Sequence, residues 1–82
     1  MNVFEIKLET SNDILLKIEN INVGDFVKVS NFEERFWVKI ISIENNKISG
    51  KIDNYLLNNK LYDINSLVTL DMSNILDYIK YS

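Results

Sequence analysis

Apolar and polar residues alternate at the start of the chain. Between residues 3 and 9, Phe4, Ile6 and Leu8 fall on one face, and the charged residues between them fall on the other. This alternation predicts a half-buried strand over residues 3–9. The position of this strand near the start predicts a sheet edge, where its charged residues discourage pairing with another chain.

Two further β-prone segments follow. Val23-Gly24-Asp25 has the composition of a turn and precedes the β-branched run 26–29, which predicts a buried strand. After a polar connection at 31–34, residues 35–44 form the longest β-prone stretch of the chain. The apolar positions of this stretch change parity at Ile40-Ile41, which predicts a bulge or a sharp bend.

A hairpin is predicted next in the chain. Asn45-Asn46 suits a two-residue turn because Asn tolerates positive φ. The returning strand 47–53 carries Gly50 where the sheet must bend or admit a bulky neighbour. The polar loop 54–65 contains several large apolar residues, so part of it must fold back onto the core, and residues 67–70 predict a closing strand.

Two segments show helical spacing. Apolar residues recur every three to four positions over residues 12–20, which predicts a short helix, although residues 14–19 also alternate well enough for a strand. Ser73 is a predicted N-cap, and the apolar stripe after it predicts a last helix or helical turn over residues 74–81.

These elements fit a single domain over residues 1–82. We predict a mainly β fold with one or two short helices (α+β), built as a small bent antiparallel sheet or an SH3-like barrel. A chain of this length forms one core and buries only about 60 % of its unfolded surface. No disulfide can add stability, because the sequence contains no cysteine.

Composition and charge narrow the classes of function. Hydrophobic residues make up 46 % and charged residues 26 % of the chain, which is typical of a globular domain and not of a disordered segment. The net charge is −3, with both signs interspersed. This balance argues against a nonspecific nucleic-acid binder, which needs many Lys and Arg contacts to phosphate.

The same composition bears on origin and location. Frequent Asn and Ile and the absence of Pro indicate an AT-rich genome, such as that of a low-GC bacterium, a phage or a large DNA virus. No apolar run approaches the roughly 18 residues of a membrane span, and the first residues lack the order of a secretory signal. We therefore expect a soluble protein with no membrane partner, in the cytoplasm of a bacterial or virus-infected host cell.

Four sequence blocks resemble domain-of-unknown-function family 2314. They occur in the family's order over roughly residues 23–79 and are Val23-Gly24-Asp25-Phe26-Val27-Lys28-Val29, Glu34-Arg35-Phe36-Trp37-Val38, Ile48-Ser49-Gly50-Lys51-Ile52-Asp53-Asn54 and Asn74-Ile75-Leu76-Asp77-Tyr78. The chain departs from the family where Tyr55-Leu56-Leu57 replaces an expected proline. The resemblance implies a compact sheet or barrel of SH3-like character and implies no activity.

The side chains that common catalytic sites need are missing. Without histidine or cysteine, the sequence excludes Ser-His-Asp and Cys-His arrangements and Cys/His zinc sites. The aspartates lack the spacing of a calcium loop, and two glycines are too few for a phosphate-cradling loop. Glu33 and Glu34 are adjacent on a predicted turn, where their side chains are expected to diverge. We predict a protein that is not an enzyme and that uses no cofactor or metal.

Trp37 is the most informative candidate for binding. It lies between Phe36 and Val38 on its strand and therefore faces away from them, toward the side that carries Arg35 and Lys39. One interpretation is that a helix covers this side and makes Trp37 part of a second small core. The other is an exposed aromatic residue flanked by charges, a composition enriched in protein-binding hot spots.

We predict one contact patch built from the loop at 31–37, Trp37 and the loop at 54–62, with another, unidentified protein as the partner. Phe32 lies at a loop tip, where it is either exposed or folded back as a plug. The predicted partner-binding residues are Phe32, Glu33, Glu34, Arg35, Trp37, Lys39, Asn54 and Tyr55.

Two alternatives belong to other classes. A nucleic-acid-binding barrel would use the same loops together with four lysines and would stack bases on the tyrosines of the second half. A structural subunit would complete its core by forming a homodimer, the commonest closed assembly. The four lysines of the nucleic-acid alternative are Lys28, Lys39, Lys47 and Lys51, the tyrosines are Tyr55, Tyr62, Tyr78 and Tyr81, and Lys60 is a further cation near the tyrosines.

Overall fold

The structure is a computed structural model that describes residues 3–11, 21–57 and 61–81. Six strands make up almost all of its regular structure. They are β1 (Val3–Glu5), β2 (Phe26–Ser30), β3 (Arg35–Glu44), β4 (Lys47–Ile52), β5 (Leu67–Asp71) and β6 (Asp77–Ile79), with a 3₁₀ turn at Met72–Asn74.

The six strands form one mixed sheet in the order β1-β5-β4-β3-β2-β6. The strands from β2 to β5 pair as an antiparallel meander, and β6 pairs antiparallel with β2. Only the β1–β5 pair is parallel within the described residues, with Val3 opposite Leu67. The predicted bulge is confirmed, because the β3–β4 register shifts between Ile40 and Ser42. Ile41 is consequently exposed although it belongs to an apolar run.

One face of the bent sheet encloses the core. Phe36, Val38 and Ile40 alternate along β3 with outward-facing residues, and each is at most 1 % exposed. Tyr62 folds back from the loop that follows β4, and its ring lies 5.7 Å from the ring of Phe4 and 6.3 Å from that of Phe36. The prediction that this loop returns to the core is therefore confirmed at Tyr62.

The β3–β4 hairpin has the predicted turn and glycine. Asn45 adopts a φ of 56° in the turn, as its tolerance of the left-handed region allows. A Cβ atom on Gly50 would lie 2.4 Å from Val38 Cγ1 and 2.6 Å from the carbonyl oxygen of Lys39. Glycine is therefore required here by the close approach of β3 to β4.

The predicted helix over residues 74–81 is wrong. The chain makes a 3₁₀ turn at Met72–Asn74, in which Asn74 Oδ1 accepts the N–H of Asp71, and then enters β6. Pairing with β2 explains why this segment is a strand and not a helix. Ile79 lies opposite Phe26, and the N–H of Leu76 donates to the carbonyl of Lys28 at 2.8 Å. The sheet supplies hydrogen bonds to this segment, which overrides its helical spacing.

The first strand is shorter than predicted. β1 ends at Glu5, but burial continues to alternate, with Phe4, Ile6 and Leu8 packed against the core. After β1, the N–H of Glu9 donates to the carbonyl of Ser30 at 2.8 Å. The predicted helix or strand at 12–20 lies outside the described residues.

The prediction of a mainly β chain is confirmed, and two details of the predicted sheet need correction. The sheet is mixed and not purely antiparallel, because β1 joins β5 in parallel. β1 and β6 are the two edges of the sheet and do not pair with each other, so the sheet is open and an SH3-like barrel is not confirmed. Within the described residues, no helix has the length and apolar character needed to cross a membrane.

Candidate functional site

Trp37 lies on the outer face of the sheet and is half-buried. Lys28, directly opposite on β2, places its Nζ 5.4 Å from the centre of the indole ring. Such a cation–π contact contributes about 0.5–1 kcal/mol at an exposed site. The backbone N–H of Trp37 donates to Asn54 Oδ1 at 2.6 Å. The residue is thus fixed in place without belonging to the inner core.

A shallow hollow lies beside Trp37. It is lined by Phe26, Trp37, Asp53 and Ile79 and has a volume of about 280 Å³. Ile79, on the segment that was predicted to be a helix, is 54 % exposed. The prediction that a C-terminal helix covers this side is therefore wrong, because strand β6 forms one wall of the hollow. The other predicted cover, a helix at 12–20, lies outside the described residues.

Arg35 and Lys39 lie on either side of Trp37 on the same strand face, as predicted, and both are exposed. Lys28 and Lys51 project from the neighbouring strands to this face. Lys47 also lies on the outer face but forms an ion pair with Asp71 at 3.2 Å. The structure thus places Lys28, Lys39 and Lys51 of the nucleic-acid alternative around Trp37. Lys47 lies at the other end of β4, and Lys60 lies outside the described residues.

Phe32 occupies the tip of the loop between β2 and β3. It is 61 % exposed and has a φ of 77°, which is uncommon for a bulky side chain. Asn31 Oδ1 accepts the N–H groups of Glu33 and Glu34, and Ser30 Oγ accepts the N–H of Phe32. These bonds hold the turn, so Phe32 is presented to solvent and is not a plug.

Two loops meet at this end of the molecule. The N–H of Leu57 donates to Glu34 Oε1 at 3.0 Å, and Asn31 Nδ2 donates to the hydroxyl of Tyr62 at 2.9 Å. The two loops carry four strongly exposed apolar side chains, which we call the loop patch. Its residues are Phe32, Tyr55, Leu57 and Leu61.

The predicted contact residues therefore divide into three roles. Phe32 and Tyr55 belong to the loop patch, with Glu33 exposed beside them. Arg35, Trp37 and Lys39 belong to the outer sheet face. Glu34 and Asn54 serve mainly to hold the loops, through Leu57 and Trp37. Sequence reasoning missed Leu57 and Leu61 because apolar residues in a loop are expected to fold inward.

The four tyrosines do not form one stacking surface. Tyr62 is buried, Tyr78 packs partly against the core, and Tyr55 is exposed on the loop patch. The ring of Tyr81 lies 6.4 Å from that of Phe26, near-perpendicular to it, at the other end of β2. The tyrosine platform of the nucleic-acid alternative is therefore not assembled.

Asp25 is a buried carboxylate that the sequence did not single out. It accepts the N–H of Asn22 at 2.9 Å and that of Tyr81 at 3.0 Å, and Lys80 Nζ lies 3.5 Å away. The bond from Asn22 lowers the pKa of Asp25 most, and burial opposes this lowering. Asp25 thus ties the chain after β6 to the turn before β2.

Comparison with known proteins does not extend this description. No family model, curated protein or solved structure gives a significant match to the chain. The resemblance to domain-of-unknown-function family 2314 therefore stays a prediction carried by the four sequence blocks.

Proposed function

We propose that this chain is a small non-catalytic protein-interaction module that contacts another protein through the loop patch. The observation that carries the proposal is Phe32, a large aromatic side chain that is 61 % exposed in the left-handed backbone region. That conformation costs roughly 1–2 kcal/mol in a non-glycine residue. Backbone strain of this kind concentrates at binding and catalytic sites, where the surrounding structure maintains it.

The loop around Phe32 is organised before any partner arrives. Asn31 and Ser30 accept hydrogen bonds from three successive N–H groups at the tip, and Glu34 holds the neighbouring loop through Leu57. A loop fixed in its bound conformation loses less entropy on association. Aromatic residues in such positions dominate the energy of many protein interfaces.

The surroundings of the patch suit a protein surface. Leu57 is 89 % and Leu61 79 % exposed, and the exposed acids Glu33 and Asp63 lie on the same two loops. An apolar centre with a charged rim is the usual arrangement of a protein interface. We also propose that the fold is SH3-like, which the antiparallel meander and the bulge in β3 support. A cytoplasmic location and a phage or viral origin are further parts of the proposal.

Capture experiments with paired variants test the proposal. Phe32→Asn removes the ring but keeps a residue that tolerates positive φ, so the loop should keep its shape. Val23→Ser is the matched control, because Val23 is also 61 % exposed but lies at the opposite end of β2. Extracts of a low-GC bacterium, with and without phage infection, would be passed over each immobilised variant and the retained proteins quantified.

The expected result is a protein retained equally by the wild-type chain and Val23→Ser and lost from Phe32→Asn. Equal denaturation midpoints for the wild-type chain and Phe32→Asn would exclude unfolding as the cause of the loss. Equal retention of every captured protein by all three forms would contradict the proposal.

A homodimer also stays a prediction, and we propose the loop patch as its contact surface. Sedimentation velocity over a wide concentration range would show a dimer that dissociates on dilution. Leu57→Ser should abolish this dimer, since its apolar side chain is the most exposed of the patch. A strictly monomeric wild-type chain at high concentration would leave a second, different protein as the partner.

A further inference from the structure

Four cations surround Trp37 on the outer sheet face, and we call this group the cationic face. Lys28 lies opposite Trp37 on β2. Arg35 and Lys39 lie two positions to either side of Trp37 on β3, and Lys51 lies opposite Lys39 on β4. The cationic face stands out in a chain whose net charge is −3.

The arrangement of these cations costs stability. Lys39 and Lys51 form a directly opposed cross-strand pair of like charge, and like charges directly opposite each other on neighbouring strands are destabilising. Within residues 3–11, 21–57 and 61–81, no carboxylate forms an ion pair with Lys39, Lys51 or Arg35. An anionic ligand bound across β3 and β4 would remove this repulsion.

The hollow beside the cationic face limits the size and chemistry of the ligand. Two of its walls, Phe26 and Ile79, are apolar side chains, and Asp53 adds one carboxylate. Its volume of about 280 Å³ is just below the roughly 300–1,000 Å³ typical of small-molecule sites. The hollow therefore suits one apolar side chain of a longer ligand better than a whole cofactor.

We propose that the cationic face binds an acidic peptide segment of a partner protein, which inserts one apolar side chain into the hollow. Carboxylates of the segment would approach Lys39, Lys51 and Arg35, and Asp53 can accept a backbone N–H from it. This site is separate from the loop patch and does not depend on it.

The charges on this face favour a peptide over single-stranded nucleic acid. Asp77 lies opposite Lys28, and Asp53 lies opposite Trp37, so a continuous phosphate backbone would meet two carboxylates. Lys28 also lies over the indole ring at 5.4 Å, where a stacking base would have to displace it. A peptide can space its carboxylates to avoid Asp53 and Asp77.

Titration with defined probes tests the inference. The first probe is a fluorescein-labelled oligoglutamate with one central leucine, the second has glycine in place of the leucine, and the third is a labelled oligothymidylate. Fluorescence anisotropy reports binding, and the emission of Trp37, the single tryptophan of the chain, reports contact at the proposed site.

The leucine peptide should bind and shift the Trp37 emission, and the glycine peptide should bind more weakly. Lys39→Glu should weaken binding of the leucine peptide by about tenfold or more. The charge-matched control Lys7→Glu changes an exposed position outside the sheet and should leave this binding unchanged. Phe32→Asn should also leave this binding unchanged, which separates it from the loop patch.

Equal binding by Lys39→Glu and Lys7→Glu, or no binding at low salt, would overturn the proposal. Tighter binding of oligothymidylate than of the leucine peptide would also overturn it and would assign the face to nucleic acid. A denaturation midpoint of Lys39→Glu at or above that of the wild-type chain would show that lost binding does not come from unfolding.

Discussion

The two faces of β3 follow different physical rules. The inner face presents Phe36, Val38 and Ile40, all at most 1 % exposed, and each fills space in the core. The outer face presents Trp37 between Arg35 and Lys39, half-buried or exposed. The contribution of core packing to the stability of the fold explains why the inner residues are apolar. The outer residues include a repulsive lysine pair that stability does not explain, and this difference supports the acidic-peptide site proposed on the outer face.

The sharpest test of this comparison uses neighbouring residues. Phe36→Ala should lower the free energy of unfolding by about 3–5 kcal/mol, because its ring is 1 % exposed. Trp37→Ala should cost less than half as much, since only a half-buried ring and one cation–π contact are lost. Urea denaturation of both variants measures the difference. Equal losses would show that Trp37 is a core residue and would remove the outer face as a candidate site.

A second variant tests how tightly the strands pack. Gly50→Ala should cost about 1–3 kcal/mol, since its Cβ would meet both Val38 Cγ1 and the carbonyl oxygen of Lys39. Adding Val38→Ala should not restore stability, because the contact with the backbone carbonyl remains. Recovery in the double variant, measured by thermal denaturation, would show that only the side-chain contact matters.

The buried carboxylate predicts a dependence on pH. The pKa of Asp25 is lowered in the folded state, so its stabilisation is fully present above its unfolded pKa of about 3.9 and is lost as the pH falls through the folded value. Asp25→Asn should cost about 1–2 kcal/mol at pH 7. The difference in the free energy of unfolding between Asp25→Asn and the wild-type chain, measured by denaturation at pH 7 and pH 3, should be smaller at pH 3. An equal difference at the two pH values would show that the ionised Asp25 carboxylate is not the source of the stabilisation.

The smallest expected effect has the opposite sign. Lys39→Glu replaces the repulsion with Lys51 by an attraction across β3 and β4 and should stabilise the chain by roughly 0.2–1 kcal/mol. The gain should shrink in high salt, because exposed charges are screened. Denaturant midpoints at low and high salt measure it. A destabilised Lys39→Glu would indicate that Lys39 already has a favourable role in the unbound fold.

The sequence predicted the local features of the fold better than the long-range ones. The strand at 35–44, the bulge at Ile40-Ile41 and the turn at Asn45 follow from alternation and turn chemistry, which act over a few residues. The C-terminal strand was missed because its pairing with β2 depends on a segment about 50 residues away. The open edges of the sheet depend equally on contacts that spacing does not encode.

The candidate sites show the same limit. The sequence placed Trp37, Arg35 and Lys39 on one face, because strand alternation determines that arrangement. The hollow could not be predicted, since Ile79 reaches it only through β6. The positive φ of Phe32 could not be predicted either, because the hydrogen bonds of Asn31 maintain it and the identity of Phe32 does not favour it.

The parallel pairing of β1 with β5 has a consequence for protein synthesis. Val3 is synthesised before β2, β3 and β4, yet its partner Leu67 is synthesised only after them. The β3–β4 hairpin can form as soon as it emerges, whereas β1 must wait with its apolar side chains uncovered. Glu5 and Lys7 separate those side chains in sequence, and such charges limit aggregation of exposed strands. Glu5 on β1 and Lys7 just after it are thus expected to limit aggregation of this segment during translation.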